Sequence, residues 1–218
     1  MLNFNNIETI MLDMDGTLLD LHFDSVFWLE YVPRVFAEKN GISTEDARSK
    51  IFPVMIEKKG TIDWYCLEFW SAHLDLHISS MKHDLAHLIA PLPGVVESLD
   101  KLKKMGKQLL LVTNAHRDSL NLKMEKTGID RYFDKMISAH DYRIPKESRL
   151  FWEALEKETG INKEKSVMID DSTPVLTGAA AFGIKNLVMI LKPDSTADKN
   201  PPDNRFICKE KLIDLMPA

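Results

Sequence analysis

Five short apolar runs constrain this chain more than any other feature: "TIMLDMD" from Thr9, "KQLLLVTNA" from Lys107, "KMISAHD" from Lys135, "KSVMIDDS" from Lys165 and "KNLVMIL" from Lys185. Each has the length of one strand and little polar alternation, the pattern of strands buried on both faces of a parallel sheet. Parallel neighbours need a crossover between them, commonly a helix. The intervals supply helices: "GVVESLDKLKKMG", "SLNLKMEKTG" and "SRLFWEALEKETG" stop at Gly106, Gly128 and Gly160, where glycine suits a helix C-terminus. The alternation predicts an α/β fold, a doubly wound parallel sheet.

Residues 20–90 break that rhythm. "DSVFWLEYVPRVFAEKNG", the stretch from Ser43 to Lys59, "DWYCLEFWSAHLDL" and "SSMKHDLAHLIA" all read as helices. Ser43 with Asp46 resembles a capping box. Pro91 and Pro93 mark the return to the sheet, so an all-helical insert is expected after the first strand. After the last apolar run, "KPDSTADKNPPDNRF" reads as a loop and "KEKLIDLM" as a short closing helix.

Four of the runs lead into residues suited to chemistry. The first carries Asp13 and Asp15, the second Thr113 and Asn114, and the fourth Asp170 and Asp171; the third is followed by Lys146 in "RIPKES". Ligands of open α/β sheets bind at the carboxyl ends of strands. Four carboxylates gathered there would repel one another unless a cation lay between them. Oxygen ligands select a hard divalent ion, Mg²⁺, and no Cys and no well-placed His competes for zinc at these strand ends. Residues two apart on an extended chain face the same side, which explains the spacing of Asp13 and Asp15. A lone "DG" ordinarily marks a turn; the second acidic pair is what shifts the reading towards a site.

"DMDGTLLD", "LLLVTNA", "PKE" and "VMIDDS", in this order, resemble the four motifs of the haloacid dehalogenase-like (HAD) superfamily. The resemblance implies a Rossmann-like core over residues 1–19 and 91–218, with residues 20–90 as an all-helical C1 cap. It also implies that Asp13 is a nucleophile forming an aspartyl-phosphate and Asp15 an acid and base. Thr113 and the backbone of Asn114 would hydrogen-bond phosphoryl oxygens, and Lys146 would offset charge on them and on Asp13. Gly16 would turn the chain beside the phosphate. Mg²⁺ would be held by Asp13, the Asp15 carbonyl and Asp170, with Asp171 assisting directly or through water. The cap segments "LLDLHFDSVFW" and "DWYCLEFWS", with "LVTNAH", are similar to the bacterial GMP/IMP nucleotidases of this superfamily.

That likeness implies a small phosphate ester, a purine mononucleotide, as substrate. Stacking on an aromatic contributes about 1–3 kcal/mol per base, and Phe23 and Trp28 are the expected aromatic contacts, although helical spacing also suits both to a core. His116, directly after "TNA", either touches the substrate or starts the next helix. Other readings stay open: a phosphatase or phosphomutase for another phosphorylated metabolite such as a sugar phosphate, and a non-enzymatic phosphorylatable module.

The net charge of −5 argues against nucleic acid or an anionic membrane as partner, because both need basic surface. No run approaches the roughly 20 apolar residues that span a bilayer, and the N-terminus lacks a basic leader segment. The two cysteines, Cys66 and Cys208, read as reduced thiols, so a cytoplasmic protein is expected. His73 with His77, and His83 with His87, have helical metal spacing but no evident third ligand, and are expected on the surface.

Overall fold

The computed structural model describes residues 2–217. The sheet has six strands, β1 (Thr9–Leu12), β2 (Gln108–Thr113), β3 (Lys135–Ser138), β4 (Ser166–Asp170), β5 (Asn186–Ile190) and β6 (Ile207–Lys209). Their order is β3-β2-β1-β4-β5-β6, and every pairing is parallel. The five apolar runs supply β1 to β5. β6 lies beyond the Pro- and Asp-rich segment, and its three half-buried residues are too few to carry a periodic signal. The closing helix is a single 3₁₀ turn, Leu212–Leu215.

Alternation along each strand splits the interior in two. Ile10, Leu12, Leu109, Leu111 and Ile169 enter one core, while Met11, Leu110, Val112 and Met168 enter the other. Both faces are covered, which is why these strands read as uninterrupted apolar runs.

Between β1 and β2 come α1 (His22–Val26), α2 (Val32–Asn40), α3 (Thr44–Lys58), α4 (Ile62–Tyr65), α5 (Leu67–Leu74) and α6 (Ile78–Met81). They pack around a cluster that includes Phe27, Ile51, Trp70, Leu74 and Ile78. α1 and α2 form one helical path, His22–Asn40, with a π-turn at Phe27–Tyr31. Pro33 lies just beyond it; proline cannot donate to the carbonyl four residues back, and a widened turn relieves the clash. Ser43 caps α3 by accepting from the Asp46 N–H at 3.1 Å. The two crossings to the sheet run side by side, with the Asp20 N–H donating to Ala90 O and the Leu92 N–H to Leu18 O.

α7 (Val95–Lys104), α8 (Arg117–Thr127), α9 (Arg149–Thr159) and α10 (Thr173–Phe182) complete the crossovers. Both cysteines are free thiols. His73, His77, His83 and His87 are all exposed. No helix of the described residues is long and apolar enough to cross a membrane.

Candidate active site

β1 lies between β2 and β4, with Leu12 level with Leu111 and Ile169. The residue after β1, Asp13, therefore stands beside the end of β4, and its N–H donates to Ile169 O at 3.0 Å. Asp13, Asp170 and Asp171 bring a carboxylate oxygen each within 4.8 Å of one another. Lys146, from the loop before α9, reaches into this group. Its Nζ donates to Asp13 Oδ1 at 2.5 Å, to Asp170 Oδ2 at 2.8 Å and to Val112 O at 2.8 Å. All three ammonium hydrogens are thereby used, and none remains for Asp171.

The charges explain the proton affinities. Burial pushes the Asp13 carboxyl up to about 7, with Lys146 opposing and Asp170 adding to the rise. Burial likewise raises Asp170, against Lys146. Asp171 stands well above the usual carboxylate range through burial, then through Asp170 and Asp13. Burial would lower Lys146, but Asp13 and Asp170 outweigh it and hold the ammonium charged. With all three carboxylates ionised, one ammonium leaves two negative charges in excess, and in this buried cluster each carboxyl holds its proton more tightly than usual. An all-oxygen set with that excess fits a hard divalent cation; Asp13, Asp170 and Asp171 are the residues able to hold it.

The loop carrying Lys146 is tied down from three sides. Asn114 Oδ1 accepts from the Lys146 N–H at 2.9 Å, and Asn114 Nδ2 donates to Glu147 Oε2 at 3.0 Å. Tyr65 of α4 donates its hydroxyl to Glu147 Oε1 at 3.0 Å. Trp152 Nε1 donates to the Lys146 carbonyl at 2.7 Å. α10 presses on the same backbone through Gly178, where a Cβ would meet Glu147 O at 2.6 Å and Lys146 O at 2.9 Å. Backbone atoms cannot rotate away as a side chain can. Gly178→Ala is therefore expected to lower stability by about 1–3 kcal/mol, the usual range for overpacking, read from denaturant unfolding.

Gly16 turns the chain directly after Asp15. Its N–H donates to Leu19 O at 2.7 Å, and the space its missing Cβ leaves is filled by Asp171, whose Cγ would lie 2.7 Å from that carbon. With φ at +86° the position is also one that side chains rarely adopt. Thr113 Oγ1 accepts from the Ala115 N–H at 3.0 Å, shaping the turn after β2. Asn114 engages Lys146 and Glu147 through its side chain, so its amide supports the loop.

Asp15 is held by a lysine that the sequence reading did not single out. Lys123 of α8 donates from Nζ to Asp15 Oδ1 at 2.6 Å and to Asp24 Oδ2 at 2.5 Å. Lys82 donates to Asp24 Oδ1 at 3.2 Å. Burial pushes Asp15 up to about 6, with Lys123 opposing. A signal for Lys123 existed: it follows Leu120 by three residues, on the face of α8 that also buries Met124. A lysine on an apolar helical face has to find a partner. Lys82 and Asp24 carried no comparable cue.

A cavity of about 490 Å³ opens over these groups, lined by Asp13, Asp15 and Asp171 on one side and by Trp28, Trp64 and Trp70 on the other. Trp28 thus reaches the cavity. Phe23 is not among the residues that line it; its buried ring lies 5.0 Å from Lys82 Nζ and 5.1 Å from Lys123 Nζ. Its place next to Asp24 on α1 turns it under the two ammoniums, where its face attracts them. His116 starts α8 and also faces the cavity. Its Nδ1 accepts from the Asp118 N–H to cap α8, while the ring lines the cavity and Nε2 lies 3.0 Å from Glu68.

The chain is similar to several known proteins. The GMP/IMP nucleotidase YrfG of Escherichia coli is 38 % identical over 192 residues, covering 88 % of this chain and 86 % of that protein. The pyrophosphatase PpaX of Bacillus velezensis is 27 % identical over 214 residues, covering 96 % of this chain and 95 % of that protein. Among solved structures, a HAD phosphatase from Thermococcus onnurineus shares the fold with a TM-score of 0.80, at 22 % identity and 96 % coverage of both chains. Residues 10–189 match the family described as haloacid dehalogenase-like hydrolase, and this chain belongs to that family.

Proposed function

We propose that this protein is a Mg²⁺-dependent phosphatase that hydrolyses purine nucleoside 5′-monophosphates, GMP and IMP, through an aspartyl-phosphate on Asp13. One observation carries the reading: a buried carboxylate cluster with a surplus of negative charge faces a tryptophan-lined cavity of about 490 Å³, a size that suits a small organic ligand. The 38 % identity with a GMP/IMP nucleotidase supports the choice of base.

In this reading the phosphoryl group lies at the sheet edge and the purine against the tryptophans. An Asp13 oxygen attacks phosphorus as the bond to the ribose O5′ breaks, and Asp15 gives its proton to the departing oxygen. The ionised Asp15 then takes a proton from water, which attacks the aspartyl-phosphate; phosphate leaves and Asp13 is restored. Lys146 keeps Asp13 oriented and offsets charge on the phosphoryl oxygens. Asp13, Asp170 and Asp171, together with the Asp15 carbonyl, would hold Mg²⁺, whose charge would offset that of the phosphoryl group. Thr113 and Asn114 stand at the end of β2, where they would shape the phosphate end of the cavity.

The test is a panel of GMP, IMP, pyrimidine nucleotides, hexose phosphates and pyrophosphate, with phosphate release measured with Mg²⁺ and after chelation. Purine nucleotides are expected to turn over at least about 10-fold faster than hexose phosphates, since stacking of about 1–3 kcal/mol per base is available only to the former. Chelation is expected to remove activity and added Mg²⁺ to restore it. Faster turnover of a sugar phosphate would reassign the substrate, and phosphorylation of Asp13 without turnover would overturn the enzyme reading.

A further inference from the structure

Lys146 is accounted for by the carboxylates it joins, but a second buried lysine beside the site has no part in that chemistry. Lys123 is 2 % exposed, with its ammonium 2.6 Å from Asp15 and 2.5 Å from Asp24. Asp24 in turn holds Lys82, which is 3 % exposed, at 3.2 Å. The four groups form an unbranched line of alternating charge, Lys82–Asp24–Lys123–Asp15, with Phe23 beneath both ammoniums. Burying such a line costs desolvation, and apolar replacements of similar volume are often neutral or stabilising. Stability alone is therefore a poor reason for it. Its inner end is the carboxylate that handles the proton.

The geometry points to Lys123, braced by Asp24, as a positioning residue for the acid–base work of Asp15; this rests on the phosphatase reading above. Lys123 engages only Oδ1 of Asp15, leaving Oδ2 without a donor among the described residues. A carboxylate pinned through one oxygen keeps its plane while the other oxygen carries the proton. The side chain of Asp15 is 22 % exposed and lines the cavity, so that proton has access to a bound ester. Asp24 fixes the lysine: an ammonium shared between two carboxylates has fewer rotamers than one facing Asp15 alone. Lys123 does not line the cavity, and Asp24, which does, has its two carboxylate oxygens engaged by Lys123 and Lys82. When the Asp13–phosphorus bond forms and the phosphorus–O5′ bond breaks, the proton moves from Asp15 to O5′, and only that transfer depends on the brace.

The dependence on the leaving group tests this. Nitrophenolate departs from p-nitrophenyl phosphate without a proton, whereas the alkoxide of GMP, or of the best alkyl ester in the panel, needs one. First-turnover release of the leaving group is measured for the wild type, Lys123→Met and Asp24→Asn. Lys123→Met is expected to lose about 100-fold on the alkyl ester and under about 5-fold on the nitrophenyl ester, since general acid catalysis is worth about 10²–10⁴-fold. Asp24→Asn is expected to lose about 10-fold with the same selectivity.

Equal losses on the two esters, or none on either, would overturn the inference. Should Lys123→Met not fold, the nearly isosteric Asp24→Asn decides by the same ratio. A wild type inactive on every ester removes the phosphatase reading as well. An active wild type whose variants keep its ester ratio removes this inference alone.

Discussion

Asp13→Asn is expected to lower phosphate release from GMP by about 10⁴-fold or more, the scale on which loss of a nucleophile acts. An amide fills the same space but cannot form the acyl phosphate, so the loss should fall on kcat with little change in KM. Folding should respond the other way. The Asp13 carboxyl is raised by burial from 3.8 to about 7, so the folded state binds more protons there than the unfolded chain. That group's contribution to stability declines as pH rises from about 4 to about 7. The asparagine variant lacks this decline. In metal-free buffer at pH 8 its thermal midpoint is expected to match or exceed that of the wild type, while at pH 4 the difference should shrink. A variant that is inactive because it is unfolded would show the reverse, a lowered midpoint at pH 8.

Lys146→Met is expected to produce the second large effect, and on both properties. The ammonium joins two buried carboxylates, and removing one partner of a buried ion pair typically costs about 3–5 kcal/mol. Activity should fall by about 10³-fold, the upper range for losing one preorganised electrostatic contact. Unlike most core lesions, this one should respond to a cation. Mg²⁺ is expected to raise the variant's midpoint by more degrees than it raises the wild type's, because Asp13 and Asp170 then lack their ammonium beside Asp171. Unfolding curves with and without the ion read that difference directly. An equal response in both proteins would argue against a cation at this cluster.

The parts legible in the sequence were those set by short-range order. Apolar runs of strand length announced β1 to β5, and the glycines after helical stretches marked their ends. Asp13, Lys146 and Asp170 were legible as a set because each follows an apolar run whose burial confines it to the interior of a parallel sheet. Three-residue β6 and the π-turn before Pro33 escaped notice, the one too short for periodicity and the other hidden inside a continuous helical pattern. Phe23 and Trp28 looked equivalent as aromatic residues five positions apart. They are separated by the rotation of one helical path, which buries the first and turns the second to the cavity.

What the chain determined by itself is a parallel α/β sheet with acidic residues at one edge, because strand burial and strand-end chemistry are written in neighbouring residues. Only the tertiary structure decided how those acids are held. The contact of Lys123 with Asp15 spans 108 positions and that with Asp24 spans 99, and Asn114 reaches Lys146 across 32. Such contacts depend on how far each helix is rotated over the sheet. That rotation is set by the packing of whole faces, which no local pattern of residues encodes.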